Sequence, residues 1–311
     1  MVFEIKSIPF NPNKDIGSLA GKVILVTGGN SGLGKQSILE FSRHNPAQIW
    51  LGARDLQKAK AAADDIRRQV PGAPIKLLEL DLSSFESIKK AAKKFSSECD
   101  RLDILMLNAG LMGSAPSLTK EGYEIHIGVN HLGHALLCKL LVPVMERTAE
   151  SSVDADVRVI VITSSAHKMC PLSAIEFEGL TTTAENMIAL VRYGQSKLAN
   201  ILYARELAKR FPQFRVAAVS PGYVNTNIQH SMTGVPTIVR KLDTAVSFLY
   251  NGVEKGVKNQ LWASVSKNYI SGEYFEPVGV RGNANKEAQN DLLALTLWTW
   301  TEKQLKPHVM V

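Results

Sequence analysis

Tyr193 and Lys197 stand four residues apart in Tyr193-Gly194-Gln195-Ser196-Lys197. On a helix that spacing puts both side chains on one face, one turn apart. A free phenol ionises at roughly pH 10, too high for acid–base work near neutrality. A lysine cation one turn away favours the phenolate, as would an oxidised nicotinamide. A tyrosine tuned in this way suits a general acid for carbonyl reduction and a general base for alcohol oxidation. Many amphipathic helices carry such a pair and do no chemistry, so other polar groups have to meet it. Thr163-Ser164-Ser165 follows an apolar run and would set a hydroxyl where a substrate oxygen could be held; its bland role is a turn or helix cap. Val129-Asn130 falls inside an expected helix, where asparagine is poorly favoured. If solvated it needs no explanation; if buried it must find partners, such as a water relaying protons to Lys197.

A second constellation binds rather than reacts. Thr27-Gly28-Gly29-Asn30-Ser31-Gly32-Leu33-Gly34 lies between an expected strand and an expected helix. There backbone can approach a pyrophosphate and the helix N-terminus offers free N–H groups to it. Gly52-Ala53-Arg54-Asp55 closes the second strand with no acidic residue at its tip. Such an acid would hold the ribose 2′-hydroxyl of NAD. Arg54 instead suits the 2′-phosphate of NADP and can stack on adenine; its plain alternative is a surface pair with Asp55 or Asp64, and Lys58 is a secondary candidate for the phosphate. Asp81-Leu82 after the third strand suits the adenine amino group and ring face. Asn108-Ala109-Gly110 after the fourth lets backbone lie against ribose. All fall at successive strand ends, where doubly wound sheets bind ligands.

These residues need a scaffold, and the apolar pattern supplies one. Strands are expected at Lys22–Thr27, Gln48–Ala53, Ile75–Leu80, Leu102–Leu107, Val157–Thr163 and Arg215–Val219, with a seventh near Tyr274-Phe275. Helical patterns separate them at Gly34–His44, Asp55–Val70, Ser83–Cys99, Gly122–Arg147 and Tyr193–Phe211, and a last helix is expected over Glu287–Leu305. Nearly continuous apolar strands alternating with helices predict an α/β fold with a doubly wound, parallel, seven-stranded sheet and helices on both faces. With no repeat or linker, the 311 residues are read as one domain, 18–226 forming the cofactor-binding and catalytic core and 227–311 a substrate lid and C-terminal helices.

Composition narrows the class. The charge is +7, but the basic residues are scattered, which fits a solvated surface and an anionic cofactor better than nucleic acid. Cys99, Cys138 and Cys170 are odd in number and far apart, and no CxxC or HExxH occurs. A disulfide framework and a metal site are therefore not expected. The N-terminus shows no stretch of signal or membrane-anchor length, and the apolar His131–Met145 segment reads as a buried helix. The expected location is the cytoplasm.

Together, TGGNSGLG at Thr27–Gly34, NAG at Asn108–Gly110, VN at Val129–Asn130, SS at Ser164–Ser165, YGQSK at Tyr193–Lys197 and PGYVNT at Pro221–Thr226 resemble the short-chain dehydrogenase/reductase family over roughly Lys22 to Thr226. GARD, HLGH and SKLANIL look like its branch of retinol dehydrogenases and WW-domain oxidoreductases, particularly fungal members of unknown or secondary-metabolic role. The resemblance implies a Rossmann-type, NADP(H)-dependent oxidoreductase acting on a small-molecule carbonyl or secondary alcohol. It implies Tyr193 as acid/base, Lys197 on the nicotinamide ribose, the second serine, Ser165, on the substrate oxygen, and Asn130 completing a proton relay. Val224 and Thr226 would hold the carboxamide, after Pro221 and Gly222, which also belong to the cofactor site. The rival functions are a catalytically idle NADP(H)-binding regulatory protein and a non-redox cyclase on the same fold. The resemblance also implies a homodimer or tetramer through the helices of His134–Leu141 and Leu198–Leu207, unless the C-terminal extension with Trp298 and Trp300 covers that surface and leaves a monomer. Substrate choice is expected in Ala166–Arg192 and Asn227–Gly256.

Overall fold

A computed structural model describes residues 6–224, 232–237 and 251–309. Thr226, and Ile228 and Ile238 of the expected substrate wall, lie outside the described residues. The strands are β1 (Val23–Thr27), β2 (Gln48–Ala53), β3 (Ile75–Glu79), β4 (Ile104–Leu107), β5 (Val157–Ile162), β6 (Phe214–Val219) and β7 (Tyr274–Phe275). The helices, in chain order, are α1 (Pro12–Asp15), α2 (Gly32–Ser42), α3 (Leu56–Gln69), α4 (Phe85–Glu98), α5 (Ile125–Ile127), α6 (Gly133–Glu150), α7 (Ala189–Arg210), α8 (Val253–Gly256), α9 (Lys258–Val265) and α10 (Asp291–Val309).

The strands form one sheet in the order β3-β2-β1-β4-β5-β6-β7, and every neighbouring pair is parallel. This is the doubly wound sheet expected from the sequence. Its strands are apolar throughout because both faces are covered. Leu25, Val157, Val159 and Val161 enter a core with α4, α6, α7 and α10. Their neighbours Ile24, Val26, Ile160 and Ile162 enter the opposite core with α2, α3 and α9. The winding direction reverses between β1 and β4, which opens a crevice at their C-terminal ends.

Three expectations are revised. The helix expected over Gly122–Arg147 runs continuously from Ile125 to Glu150 and widens into a π-helical turn at Gly128–Leu132 between α5 and α6. Close packing at two glycines flanks the wide turn. A Cβ at Gly128 would lie 2.2 Å from Thr119 Cγ2, and one at Gly133 would lie 2.5 Å from the Leu82 carbonyl oxygen. The whole run Ile125–Glu150 is long and apolar enough to cross a membrane, yet 78% of its most apolar stretch is buried inside the molecule.

Second, much of the described part of 227–311 is core rather than lid. In α9, Leu261, Trp262 and Ala263 are buried against the sheet, and β7 completes it.

Third, the faces expected to pair two subunits are occupied by the chain itself. Helix α10 lies on α7 and α6, with Ala294, Leu297 and Leu305 buried. Trp298 stacks on Tyr203 at 5.4 Å, the His131 Nε2 and Thr301 Oγ1 atoms share a 2.7 Å hydrogen bond, and Lys139 pairs with Glu302 at 2.5 Å. Of the two alternatives, the covered surface is the one the fold presents.

Candidate active site

Most of the residues expected to bind cofactor line one cleft of about 390 Å³ at the β1–β4 crevice: Gly28, Asn30, Ser31, Gly32, Leu33, Arg54, Asp81, Leu82, Asn108, Ala109 and Gly110, with Thr27, Ala53 and Lys58. Gly28 and Gly32 have φ of 66° and 51°, backbone that only glycine adopts without strain. Gly34 sits behind the loop rather than in the cleft. A Cβ there would lie 2.4 Å from the Gly28 carbonyl oxygen, so the glycine lets α2 close against β1. Thr27 is a hub that sequence reading missed. Its Oγ1 accepts from the Asn108 and Ala109 amides, each at 2.9 Å, and Asn108 Nδ2 donates to the Thr27 carbonyl at 2.8 Å. Of the last group, Pro221 and Gly222 follow β6, Gly222 with φ 74°. Val224 bridges to Asn251 and abuts Gly256.

At the second-strand tip Ala53, Arg54 and Asp55 all line the cleft. Asp55 Oδ1 caps α3 by accepting from the Gln57 and Lys58 amides at 2.9 and 3.0 Å. Those amides, chiefly that of Lys58, hold its carboxyl below the usual range. Asp64 pairs with Lys60 and Arg67. Arg54 is exposed at the edge of the cleft, and its charge helps to lower the neighbouring Asp55 carboxyl.

Tyr193 and Lys197 share one face of α7, as their spacing predicts, with Lys197 Nζ 5.7 Å from the centre of the Tyr193 ring. Both are buried. Burial pushes the Tyr193 phenol up to about 12, opposed by a hydrogen bond with the Ser164 hydroxyl. Burial also pulls the Lys197 ammonium down to about 8. Burial is the larger effect on the phenol, which therefore holds its proton at neutral pH. Lys197 Nζ donates to the Ile162 carbonyl at 3.0 Å, and the Thr163 hydroxyl donates to the Lys197 carbonyl at 2.8 Å, which fixes α7 to the end of β5.

The serine brought to the phenol is Ser164, not the expected Ser165. Ser164 hydrogen-bonds Tyr193 and accepts from the Ala166 amide at 3.1 Å, while Ser165 opens the short 3₁₀ helix Ser165–Met169. The cause lies in α7. That 3₁₀ turn rests on Gly194, where a Cβ would lie 2.5 Å from the Ala166 carbonyl oxygen. Gly194→Ala is therefore expected to push the serine turn off the phenol and lower kcat/KM by roughly 10–100-fold, the scale of a 1 Å misplacement. NADPH affinity should hold, and wild-type turnover in this variant would show that the contact is idle.

Asn130 is fully buried in the π-helical turn, at the position where such turns frequently carry function. Its Oδ1 accepts from the Leu111 amide at 2.8 Å, and its Nδ2 donates to the Leu111 carbonyl and to Ser196 Oγ. The amide is thus held by protein. Gly110 brings it to the lysine: a Cβ at Gly110 would lie 3.2 Å from Asn130 Oδ1 and 3.5 Å from Lys197 Nζ. The Asn130 carbonyl accepts from His134 Nδ1 at 3.0 Å, and His134 Nε2 accepts from the Thr27 hydroxyl at 2.9 Å. The histidine, four residues on in HLGH, thereby joins the cofactor loop to the asparagine. Among the described residues no cluster suited to a metal ion occurs.

Comparison with known proteins bears on the same residues. The short chain dehydrogenase family profile matches residues 22–175. The short-chain dehydrogenase/reductase drtF of Aspergillus calidoustus is 37% identical over 94% of this chain and 96% of its own. Mouse retinol dehydrogenase 12 is 34% identical over 90% and 85%. A solved structure from Mycobacterium paratuberculosis covers 96% of this chain and 97% of its own with a TM-score of 0.72 at 27% identity. A short chain dehydrogenase of Shigella flexneri, solved in complex with NADP, matches in fold with a TM-score of 0.62 at 18% identity, over 84% and 98%. With its parallel sheet, its glycine cleft and its Ser-Tyr-Lys-Asn grouping at the strand ends, this chain belongs to the short-chain dehydrogenase/reductase family, in its retinol-dehydrogenase-like branch.

Proposed function

We propose that the protein is an NADP(H)-dependent oxidoreductase that interconverts a carbonyl and a secondary alcohol, with Tyr193 as general acid and base. The observation that carries this reading is the Tyr193 phenol, set beside the Ser164 hydroxyl and Lys197, with Gly110 of the glycine-lined cleft packed close to the Lys197 ammonium. The cleft fits a dinucleotide: positive-φ glycines stand before the N-terminus of α2, and Gly110 leaves room beside Lys197 and Asn130. When bound, the nicotinamide supplies or accepts the hydride and, oxidised, adds positive charge beside the phenol.

In reduction, Tyr193 gives its proton to the oxygen that gains charge; in oxidation it takes that proton back. Ser164, in place of Ser165, holds the substrate oxygen. Lys197 binds the ribose and replenishes the proton, and Asn130 holds the wide turn beside it. Val224 and Thr226, after Pro221 and Gly222, are assigned to the carboxamide. The free cysteines Cys99, Cys138 and Cys170 accord with a reducing, cytoplasmic setting, and a place in secondary metabolism is part of the proposal. The direct test is NADPH oxidation followed by absorbance across aromatic ketones, aldehydes, steroids and polyketide-like compounds; no turnover with any of them would overturn the reading.

Arg54 is assigned to the 2′-phosphate, because Ala53 ends the second strand and the Asp55 carboxylate beside the cleft is engaged in capping α3. Arg54→Ala is expected to weaken NADPH binding by on the order of 1.5–3 kcal/mol, the loss of one charged hydrogen bond, while NADH affinity barely moves. Equal affinity of the native protein for both cofactors would count against it.

A further inference from the structure

Behind the reacting groups lies a charged network that proton transfer does not use. Arg192, directly before Tyr193, is 1% exposed and its partner Glu124 is fully buried. Arg192 Nη1 donates to Glu124 Oε1 at 2.8 Å, Nη2 to the Ser114 carbonyl at 2.9 Å, and Nε to the Met187 carbonyl at 3.3 Å. His126 Nδ1 donates to the same Glu124 Oε1 at 2.7 Å, and its Nε2 accepts from the Ser114 amide at 3.0 Å. Glu124 Oε2 accepts from the His126 and Ile127 amides, both at 2.9 Å, and so caps the helical run that carries Asn130. Burial alone would raise the Glu124 carboxyl, but His126, the Ile127 amide and Arg192 together hold it below its usual range.

Such a network is costly, since well-packed apolar residues often serve stability as well as a buried ion pair. Its value lies in what it joins. Ser114 belongs to the loop after Asn108–Gly110, and the far side of that loop is gripped by residues 232–235. The Gly234 amide donates to the Gly113 carbonyl at 2.8 Å, and the Ala115 amide to Thr233 Oγ1 at 3.0 Å. Gly113 has φ 63°, and a Cβ on it would lie 2.9 Å from Val235 Cγ2. Met112, Met232 and Val235 pack with Ala189 and Leu190 in an apolar cluster separate from the two sheet cores. The network thus ties the tyrosine helix to an apolar wall that packs on Ala189 and Leu190, one turn before Tyr193.

We propose that Arg192 is a positioning residue which, through Glu124 and Ser114, sets the distance between the Tyr193 phenol and the Met112–Val235 wall and so determines which substrates fit. The proposal rests on the reading of Tyr193 as acid and base. Arginine is required because its planar fork serves acceptors on three segments at once, which a single lysine ammonium cannot do.

The test is Arg192→Lys in the full chain, with Glu124→Gln/Arg192→Gln as a second variant that removes both charges together. In both, the Ser114, Ala115 and Gly234 amides should exchange with solvent at least roughly 10-fold faster, while β1 amides and NADPH affinity stay within about 2-fold. This arm needs no substrate, so it judges the clamp even if no carbonyl is turned over. With two ketones of unequal size that are turned over, the ratio of their kcat/KM values should shift by about 10-fold or more. Unchanged exchange at those three amides overturns the proposal, and so does an unchanged ratio. Failure of both variants to fold would make the network a folding requirement instead, and would also overturn it.

Discussion

Tyr193→Phe is expected to lower turnover by roughly 10²–10⁴-fold, the usual weight of a positioned acid and base, with folding and NADPH affinity almost unchanged. The substitution removes one oxygen and keeps the ring. The ring's edge contact with His126 at 6.3 Å and the nearby Lys197 remain. What disappears is the hydroxyl that Ser164 holds, worth about 1 kcal/mol of stability at most. Activity and stability should therefore separate cleanly. Paired measurement of NADPH fluorescence titration and carbonyl turnover decides the matter. Wild-type turnover in the variant would remove Tyr193 from the chemistry, whereas loss of NADPH binding would recast it as a cofactor anchor.

A second large effect is expected in acid. His131 and His134 are buried in the helical run through the core, and burial lowers them to about 3 and about 4. Lys197 adds to the lowering of His134, while the bond to the Asn130 carbonyl opposes it. Both imidazoles stay neutral in the folded chain at pH values where an unfolded chain protonates them. Below about pH 6.5 the unfolded state thus binds more protons, and stability falls as pH falls. Either histidine alone represents on the order of 3–5 kcal/mol lost by pH 3–4, a sizeable part of the roughly 5–15 kcal/mol that holds a typical domain together. Denaturant midpoints measured between pH 7 and pH 4.5 should drop steadily. In His134→Gln the slope between pH 6 and 4.5 should be shallower by about 1.4 kcal/mol per pH unit, one proton's worth. A native midpoint flat over this range would refute the buried neutral pair.

The sequence shows the scaffold more clearly than it shows the contacts. Burial on both faces makes a parallel strand apolar along its whole length, which is why Gln48–Ala53 was legible to the residue. The cofactor loop was legible because glycine is demanded by backbone conformation, and composition records that demand directly. The serine was not. Ser164 and Ser165 are chemically identical, and the choice between them is made by a turn whose seat is Gly194, thirty positions away in sequence. The widened turn at Gly128–Leu132 escaped for a related reason. Its glycines read as weak helix formers, whereas the close approaches of Thr119 and Leu82 belong to tertiary packing. Arg192 is hidden more deeply, since an arginine beside a tyrosine on a helix reads as a solvated charge, and only the fold brings Glu124 and Ser114 to it.

Helix α10 also imposes an order in time. It is made after every element it covers. The 99 residues from Phe211 to Val309 must follow α7 through the ribosome before Trp298 can reach Tyr203 and Thr301 can reach His131. At about 5–20 residues per second, that leaves the apolar faces of α6 and α7 bare for roughly 5–20 s. A nascent chain in that interval has its catalytic strands in hand but an unfinished exterior, the state that chaperones hold and that sticks to its own copies. Slower translation over these residues would lengthen that exposure, and the yield of protein would then depend on codons far from those for its chemistry.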